Sequence, residues 1–198
     1  MSRHPEVTIR TVDMSNFERD AAFLYEIYQD AWQNNWGHVH LTEKEFMHMA
    51  QGLKPFIDPD FAMIAEIDGE PAALALTLPD YNQVVKKMNG RLFPFGWYHY
   101  MTGRKKIDTI RIFILGVRQE YQRMPLGAPL YHRIWEEGIK RKTRGGEASL
   151  ILENNHRMRG ALEKMGFRIY KTYRTYEYPL PGVEQPVPPA EEAETSVD

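Results

Sequence analysis

The sequence has no cysteine, so it has neither disulfides nor thiolates for metal binding or nucleophilic attack. Although 42% of its 198 residues are hydrophobic, no apolar run approaches the roughly 20 residues needed to cross a bilayer. The opening Met1-Ser2-Arg3-His4-Pro5-Glu6 lacks the apolar core of a secretory signal. These absences predict a soluble, cytoplasmic chain. An excess of charge of one sign is also lacking: 25 Lys and Arg stand against 27 Asp and Glu, giving no overall pull towards nucleic acid. With no zinc-finger, P-loop or basic-arm pattern, no nucleic-acid partner is expected. His38 and His40 are spaced to share a strand face, but no third ligand follows at a recognisable spacing, so no metal is expected.

What is present is periodic. Val7 to Val12 alternates as a half-buried strand, and Asp13 to Asn16 offers caps for a helix in which Ala21, Leu24, Ile27, Tyr28 and Ala31 form one apolar stripe. Asn34, Asn35 and Gly37 end it. Thr42 with Glu45 predicts a capping box for a second helix carrying Phe46, Met49 and Leu53. Phe61 to Ile67 and Pro71 to Leu78 read as antiparallel strands joined at Asp68-Gly69, a pair suited to a tight hairpin turn. Residues 81–106 are irregular, with a short helix through Val84, Val85 and Met88, and read as an insertion near a site. Beyond it the pattern predicts a strand over Ile107 to Val117, a helix over Leu126 to Lys142, a strand over Ala148 to Leu152, a helix over Asn155 to Met165, and strand or hairpin over Phe167 to Tyr178. Residues 181–198 are rich in Pro and Glu and too poor in apolar groups to order. The order implies one α/β domain over 1–180, a mixed sheet with helices on both faces.

The chemistry-bearing stretch runs from Ile110 through Val117 and Tyr121-Gln122-Arg123-Met124-Pro125-Leu126-Gly127-Ala128 to Tyr131. A strand feeds a short loop that opens a helix, and a helix start presents unpaired N–H groups and a positive dipole end, which suits an anion. This loop resembles that of the GNAT acyltransferase superfamily, usually Gln/Arg-x-x-Gly-x-Gly/Ala. Pro125 stands where that pattern prefers its first glycine. The block Asn155 to Gly166-Phe167 resembles the family's second motif, an asparagine, an apolar helix face and a terminal Gly-Phe.

The resemblance implies a mixed, mostly antiparallel central sheet flanked by helices, and acetyl-CoA or a longer acyl-CoA as co-substrate with an amine as acceptor. It implies cofactor contacts at Leu115, Val117, Gln122, Arg123, Met124, Leu126, Gly127, Ala128 and Asn155; the last serves equally as a helix N-cap. The tyrosine that protonates the leaving thiolate in many members is replaced by Leu162. Tyr170 is a substitute acid or a core aromatic of the final strand. Glu153 is a candidate base, or else an acid favoured by the helix dipole. Ala31-Trp32-Gln33-Asn34-Asn35-Trp36-Gly37, Pro79-Asp80-Tyr81-Asn82-Gln83 and Gly90-Arg91-Leu92-Phe93-Pro94-Phe95-Gly96 further resemble a subgroup of longer bacterial GNAT-like proteins, some implicated in N-acylating sphingoid bases. The kinship suggests a lipid-like amine. Trp36, Tyr98 and His99 are candidate acceptor contacts, with Tyr98 and His99 also alternative bases, and Leu92 to Met101 suits core packing, the lining of a fatty chain or a peripheral membrane contact.

Overall fold

In the computed structural model, residues 6–33, 35, 38–176 and 178 are described. Trp36 and the tail over 181–198 lie outside them. Strand β1 (Val7–Thr11) leads through a 3₁₀ turn, capped by the Asp13 carboxylate, into α1 (Phe17–Trp32). Helix α2 (Glu43–Leu53) opens on the capping box: Thr42 accepts from the Glu45 N–H, and Glu45 accepts from the Thr42 N–H at 2.8 Å. Strands β2 (Ala62–Ile67) and β3 (Glu70–Pro79) form the hairpin, with φ of +50° at Asp68 and +88° at Gly69, the double positive φ of a type I′ turn.

Helices α3 (Asn82–Met88) and α4 (Gly96–Gly103) follow, then β4 (Thr109–Val117), α5 (Gly127–Lys140), β5 (Gly145–Ala148) and α6 (His156–Lys164). The sheet order is β1-β2-β3-β4-β5, antiparallel throughout except for the parallel β4-β5 pair. Met63, Ala65, Ala73 and Ala75 face α5 through Leu126, Leu130 and Ile134. Ala62, Ile64 and Leu76 face α1 through Phe17 and Ala21. Covering both faces explains why β2 and β3 read as continuous apolar runs. Fully burying a side chain such as Leu130 or Ile64 contributes about 1.5–3 kcal/mol. Among the described residues, no helix is long and apolar enough to cross a membrane.

Three expectations about elements need correction. The strand predicted over Ala148 to Leu152 is displaced to Gly145–Ala148. Pairing with β4 overrides the low strand preference of Gly145 and Gly146, and a φ of +58° at Leu150 breaks any extension. Residues 167–176 form no strand. The short β5 leaves little edge to pair with, and this segment meets side chains instead: Arg174 reaches Glu153 at 3.9 Å, and Tyr170 lies beside the Glu147 carboxylate. Helix α4 was unforeseen, since its aromatic residues favour strands and no side chain caps it.

One buried ion pair joins the first elements. Asp20 on α1 is fully buried and accepts from Arg10 Nη1 at 2.7 Å and Nη2 at 3.0 Å, from the Asp13 N–H at 2.8 Å and from Arg19 Nε at 3.1 Å. Arg10 Nε also donates to Glu66 of β2 at 2.7 Å. Burial pushes the Asp20 carboxyl up, but the Arg10 and Asp13 hydrogen bonds outweigh it and leave the group below its ordinary range. A depressed carboxylate stabilises the fold above its unfolded value, about 3.9, and that contribution is lost as pH falls through the folded value. Asp20→Ala is therefore expected to lower stability by about 2 kcal/mol at neutral pH, because it leaves the Asp13 N–H unpaired and Arg10 with Glu66 as its remaining carboxylate partner. Urea unfolding at several pH values checks this; a gap between wild type and variant that fails to narrow below about pH 4 would contradict the linkage.

Candidate active site

The site grows from where β4 loses a neighbour. On one side β4 pairs with β3 along its length; on the other only Thr109 to Ile112 pair with Gly145 to Ala148. From Phe113 to Val117 the outward backbone groups of β4 face a gap with no strand partner among the described residues. Edge groups of this kind are a template for another amide-bearing chain. The register also shifts here: Leu76 pairs with Ile114 and Thr77 with Ile112, leaving Phe113 as an extra residue. Such a bulge re-aims side chains beside a site. Phe113 and Ile114 consequently both border an apolar chamber of about 280 Å³ between α1, α2 and the sheet. Leu115 and Val117 pack on the α5 side.

At the far end of β4 the loop is braced by α1. Arg118 pairs with Glu26, and Gln119 Nε2 donates to the Asp30 carbonyl at 3.0 Å. Gly116 permits the approach of α1, since a Cβ there would lie 2.3 Å from the Trp32 ring. A 3₁₀ turn over Gln119–Tyr121 follows, with Tyr121 and Met124 against the core and Leu126 buried. Helix α5 then starts with no side-chain cap. The N–H groups of Arg123, Gly127 and Ala128 have no partner among the described residues. Pro125 precedes the helix and Pro129 lies in its first turn, so neither removes a bond that the helix needs. Arg157 of α6 donates to the Gln122 carbonyl at 3.1 Å, bringing a second cation beside Arg123. Gln122, Arg123, Met124, Leu126, Gly127 and Ala128 thus come together at an anion-ready helix start.

The remaining candidates scatter. Asn155 caps α6, its Oδ1 accepting from the Met158 N–H at 3.1 Å, while its Nδ2 has no partner among the described residues. Glu153 is in an exposed turn rather than at a strand end, its side chain 85% exposed. Tyr170 is exposed and lies beside Glu147, which Arg111 holds at 2.9 Å across the third of the four paired registers of β4 and β5. The Glu147 carboxylate pushes the Tyr170 phenol up. Burial raises the Glu147 carboxyl, but Arg111 and Tyr170 hold it below its ordinary range. Tyr98 and His99 belong to α4, which precedes the start of β4 and is separated from the loop by that strand's length, about 27 Å.

Tyr131, on α5, was not singled out by sequence, where it reads as one more residue of an apolar helix face. It is buried in a cluster with Ile112, the last paired residue of β4, and with Leu162, the position from which the family's tyrosine is missing. Its hydroxyl has no partner among the described residues, and desolvation pushes its pKa up to about 12. The opposite neighbour of Ile112, Thr77, also has a buried, unpartnered hydroxyl. Buried polar groups without partners are rare and point to a role or a missing ligand.

Comparison with known proteins places the fold and the family. The family model described as acetyltransferase (GNAT) family matches residues 21–167. The chain belongs to the GNAT acetyltransferase family. It has the mixed sheet and flanking helices expected of that family. The GNAT domain is 39% identical over 178 residues to Protein YghO of Escherichia coli, covering 87% of this chain and 46% of that protein. It is 34% identical over 180 residues to a bacterial ceramide synthase of Caulobacter vibrioides, covering 88% and 47%. The chain thus spans about half the length of the curated relatives it matches. Among solved structures, an aminoglycoside N-acetyltransferase AAC(6')-Iy in complex with CoA superimposes with a TM-score of 0.58 at 11% identity, covering 90% of this chain and 98% of the other. The ribosomal-protein-S18-alanine N-acetyltransferase of Escherichia coli gives 0.56 at 20%, covering 89% and 86%. These two likenesses concern the fold alone.

An unpartnered hydroxyl in a core costs stability. Tyr131→Phe is expected to leave thermal stability unchanged or to raise it by about 1 kcal/mol. A fall in melting temperature by calorimetry would show that the hydroxyl has a protein partner after all.

Proposed function

We propose that this domain binds an acyl-CoA and transfers its acyl group to the primary amine of a lipid-like acceptor. The observation that carries the reading is the parting of β4 from β5 directly upstream of an uncapped, cation-flanked helix start. Together they offer an amide-pairing edge and an anion cradle in series, which suits the pantetheine arm and pyrophosphate of one CoA. Arg123, Arg157 and the N–H groups of Arg123, Gly127 and Ala128 hold the pyrophosphate on this reading; the open edge beside Leu115 and Val117 receives the arm. The free Nδ2 of Asn155 remains a donor to it.

In the reaction the amine lone pair attacks the thioester carbonyl, the C–N bond forms, the C–S bond breaks and CoA leaves as a thiolate that takes a proton. Backbone N–H groups of the open edge stabilise the developing oxyanion. Tyr131 is assigned as the proton donor: desolvation keeps it protonated, and it occupies the cluster that includes Leu162. Water carries off the amine proton, with Glu153 and Tyr170 as the alternative acid-base groups.

The chamber beside Phe113 supports an alkyl tail on the acyl group. Each water-sized group takes about 30 Å³ of liquid volume, and a methylene is similar, so the space suits roughly ten carbons. The lipid-like amine is supported by the relative named bacterial ceramide synthase. On this reading residues 1–180 are one acyltransferase domain, with 81–106 inserted on the acceptor side and 181–198 a tail outside it.

Calorimetric titration with CoA and with acetyl-, octanoyl-, decanoyl- and palmitoyl-CoA tests the donor, and thiol release over a panel of amines tests the transfer. Affinity is expected to rise with chain length up to about ten carbons, each buried methylene adding about 0.8 kcal/mol. Tyr131→Phe is expected to lower turnover about 100-fold with acyl-CoA binding unchanged. Absence of CoA binding would sink the reading; binding without thiol release would leave an acyl-CoA-binding module in place of an enzyme.

A further inference from the structure

The stretch joining β3 to β4 combines two features that a water-facing surface rarely holds together. From Tyr81 to Ile107 it has Lys86, Lys87, Arg91, Arg104, Lys105 and Lys106 and no Asp or Glu, in a chain whose formal net charge is −2. All six cations are exposed, and among the described residues none is in an ion pair. The same stretch projects Leu92, Phe93, Phe95, Trp97, Tyr98 and Met101, which are 51–73% exposed.

The projection is built in. The Arg91 N–H donates to the Met88 carbonyl at 3.0 Å, Trp97 to Leu92 at 2.9 Å, and Tyr98 to Phe95 at 3.1 Å. A Cβ on Gly96 would lie 2.0 Å from the Arg91 carbonyl oxygen, so only glycine closes this loop. On α4, Tyr100 turns inward and stacks on Tyr81 with ring centroids 6.3 Å apart. Trp97 and Met101, four residues apart, share the outer face, which continues towards Arg104 and Lys105. Gln83 fixes the unit to the start of β4 through Asp108 at 3.1 Å.

We propose that the α3-α4 unit docks on a bilayer surface containing anionic phospholipid, with its aromatic and aliphatic tips in the headgroup boundary and its six cations on the phosphates. Aromatic groups with polar tips favour that boundary, and basic residues around an apolar face add attraction to anionic lipid. A second copy of the chain would cover the apolar tips, but its own matching stretch brings no acid between Asp80 and Asp108 to meet the six cations.

The test is co-sedimentation of the full chain with vesicles of phosphatidylcholine, alone or mixed with phosphatidylglycerol. Acyl-CoA is left out, so the result is independent of the proposed transfer activity. Binding to the mixed vesicles, weakened by high salt, is the expected result. Each cation near such a surface is worth a factor of about five, so Lys105→Glu with Lys106→Glu lowers partitioning at least about 25-fold. Phe93→Ser with Trp97→Ser lowers it at least about tenfold, with the far-ultraviolet circular dichroism unchanged. Equal binding to both vesicle types, no binding to either, or partitioning untouched by these substitutions would overturn the proposal. So would a dimer on gel filtration that Phe93→Ser with Trp97→Ser dissolves, which would make the patch a self-interface.

Discussion

The whole arrangement depends on β4 and β5 parting after four paired residues. A parallel strand pair that continued would satisfy the outer edge of β4 and leave nothing to offer. Two local devices limit it: Arg111 and Glu147 clasp the strands at their third register, and the bulge at Phe113 turns β4 one residue beyond the last pair. Past that point the backbone groups of Phe113 to Val117 must be met by water or a ligand, since polar backbone groups do not stay unpaired in a dry interior. The gap is thus a cost to the fold and, on the proposed reading, the means of recognition.

What lay in local chemistry was legible in the sequence. Thr42 and Glu45 make a capping box within four residues, Asp68-Gly69 takes the two left-handed conformations of its turn, and Gly166 ends α6 at a φ of +87°. The loop from Gln122 to Ala128 is of this kind, because a strand running into a helix start exposes donors whatever surrounds it. What lay in tertiary context was not legible. Glycines at 145 and 146 signal a break until β4 supplies a partner, and the aromatic run from Phe167 signals a strand that finds little edge to join. Tyr131 is an apolar-face residue by spacing; only its packing on Ile112 and Leu162 shows that its hydroxyl is stranded.

The two ends of β4 are chemically different, and this gives the molecule a direction. The loop end has α1 acids holding Arg118 and Gln119 in place, leaving Arg123 and Arg157 to face outward. The other end has the α3-α4 unit, cationic and aromatic, with Phe113 and its chamber between the two. A ligand with an anionic head and an apolar tail is matched along this axis by charge at one end and alkyl-sized space midway. On the proposed reading, the unit at the start of β4 lies where a second, lipid-borne reactant would arrive without crossing the anion cradle.

The prolines of the loop fit the same logic. Pro125 and Pro129 remove two N–H groups from the proposed anion cradle, which on its own weakens it. Pro125 precedes α5 and Pro129 sits in its first turn, where an N–H has no helical partner, so the helix loses nothing, and each restricts the backbone before any ligand arrives. Less ordering then remains to be done on binding. The lost donors are offset by charge, since Arg157 reaches from α6 to the Gln122 carbonyl and adds its guanidinium to that of Arg123. A loop built this way depends more on ionic contact and less on backbone donors than a glycine-rich one. Its affinity for a polyphosphate should accordingly fall more steeply with salt.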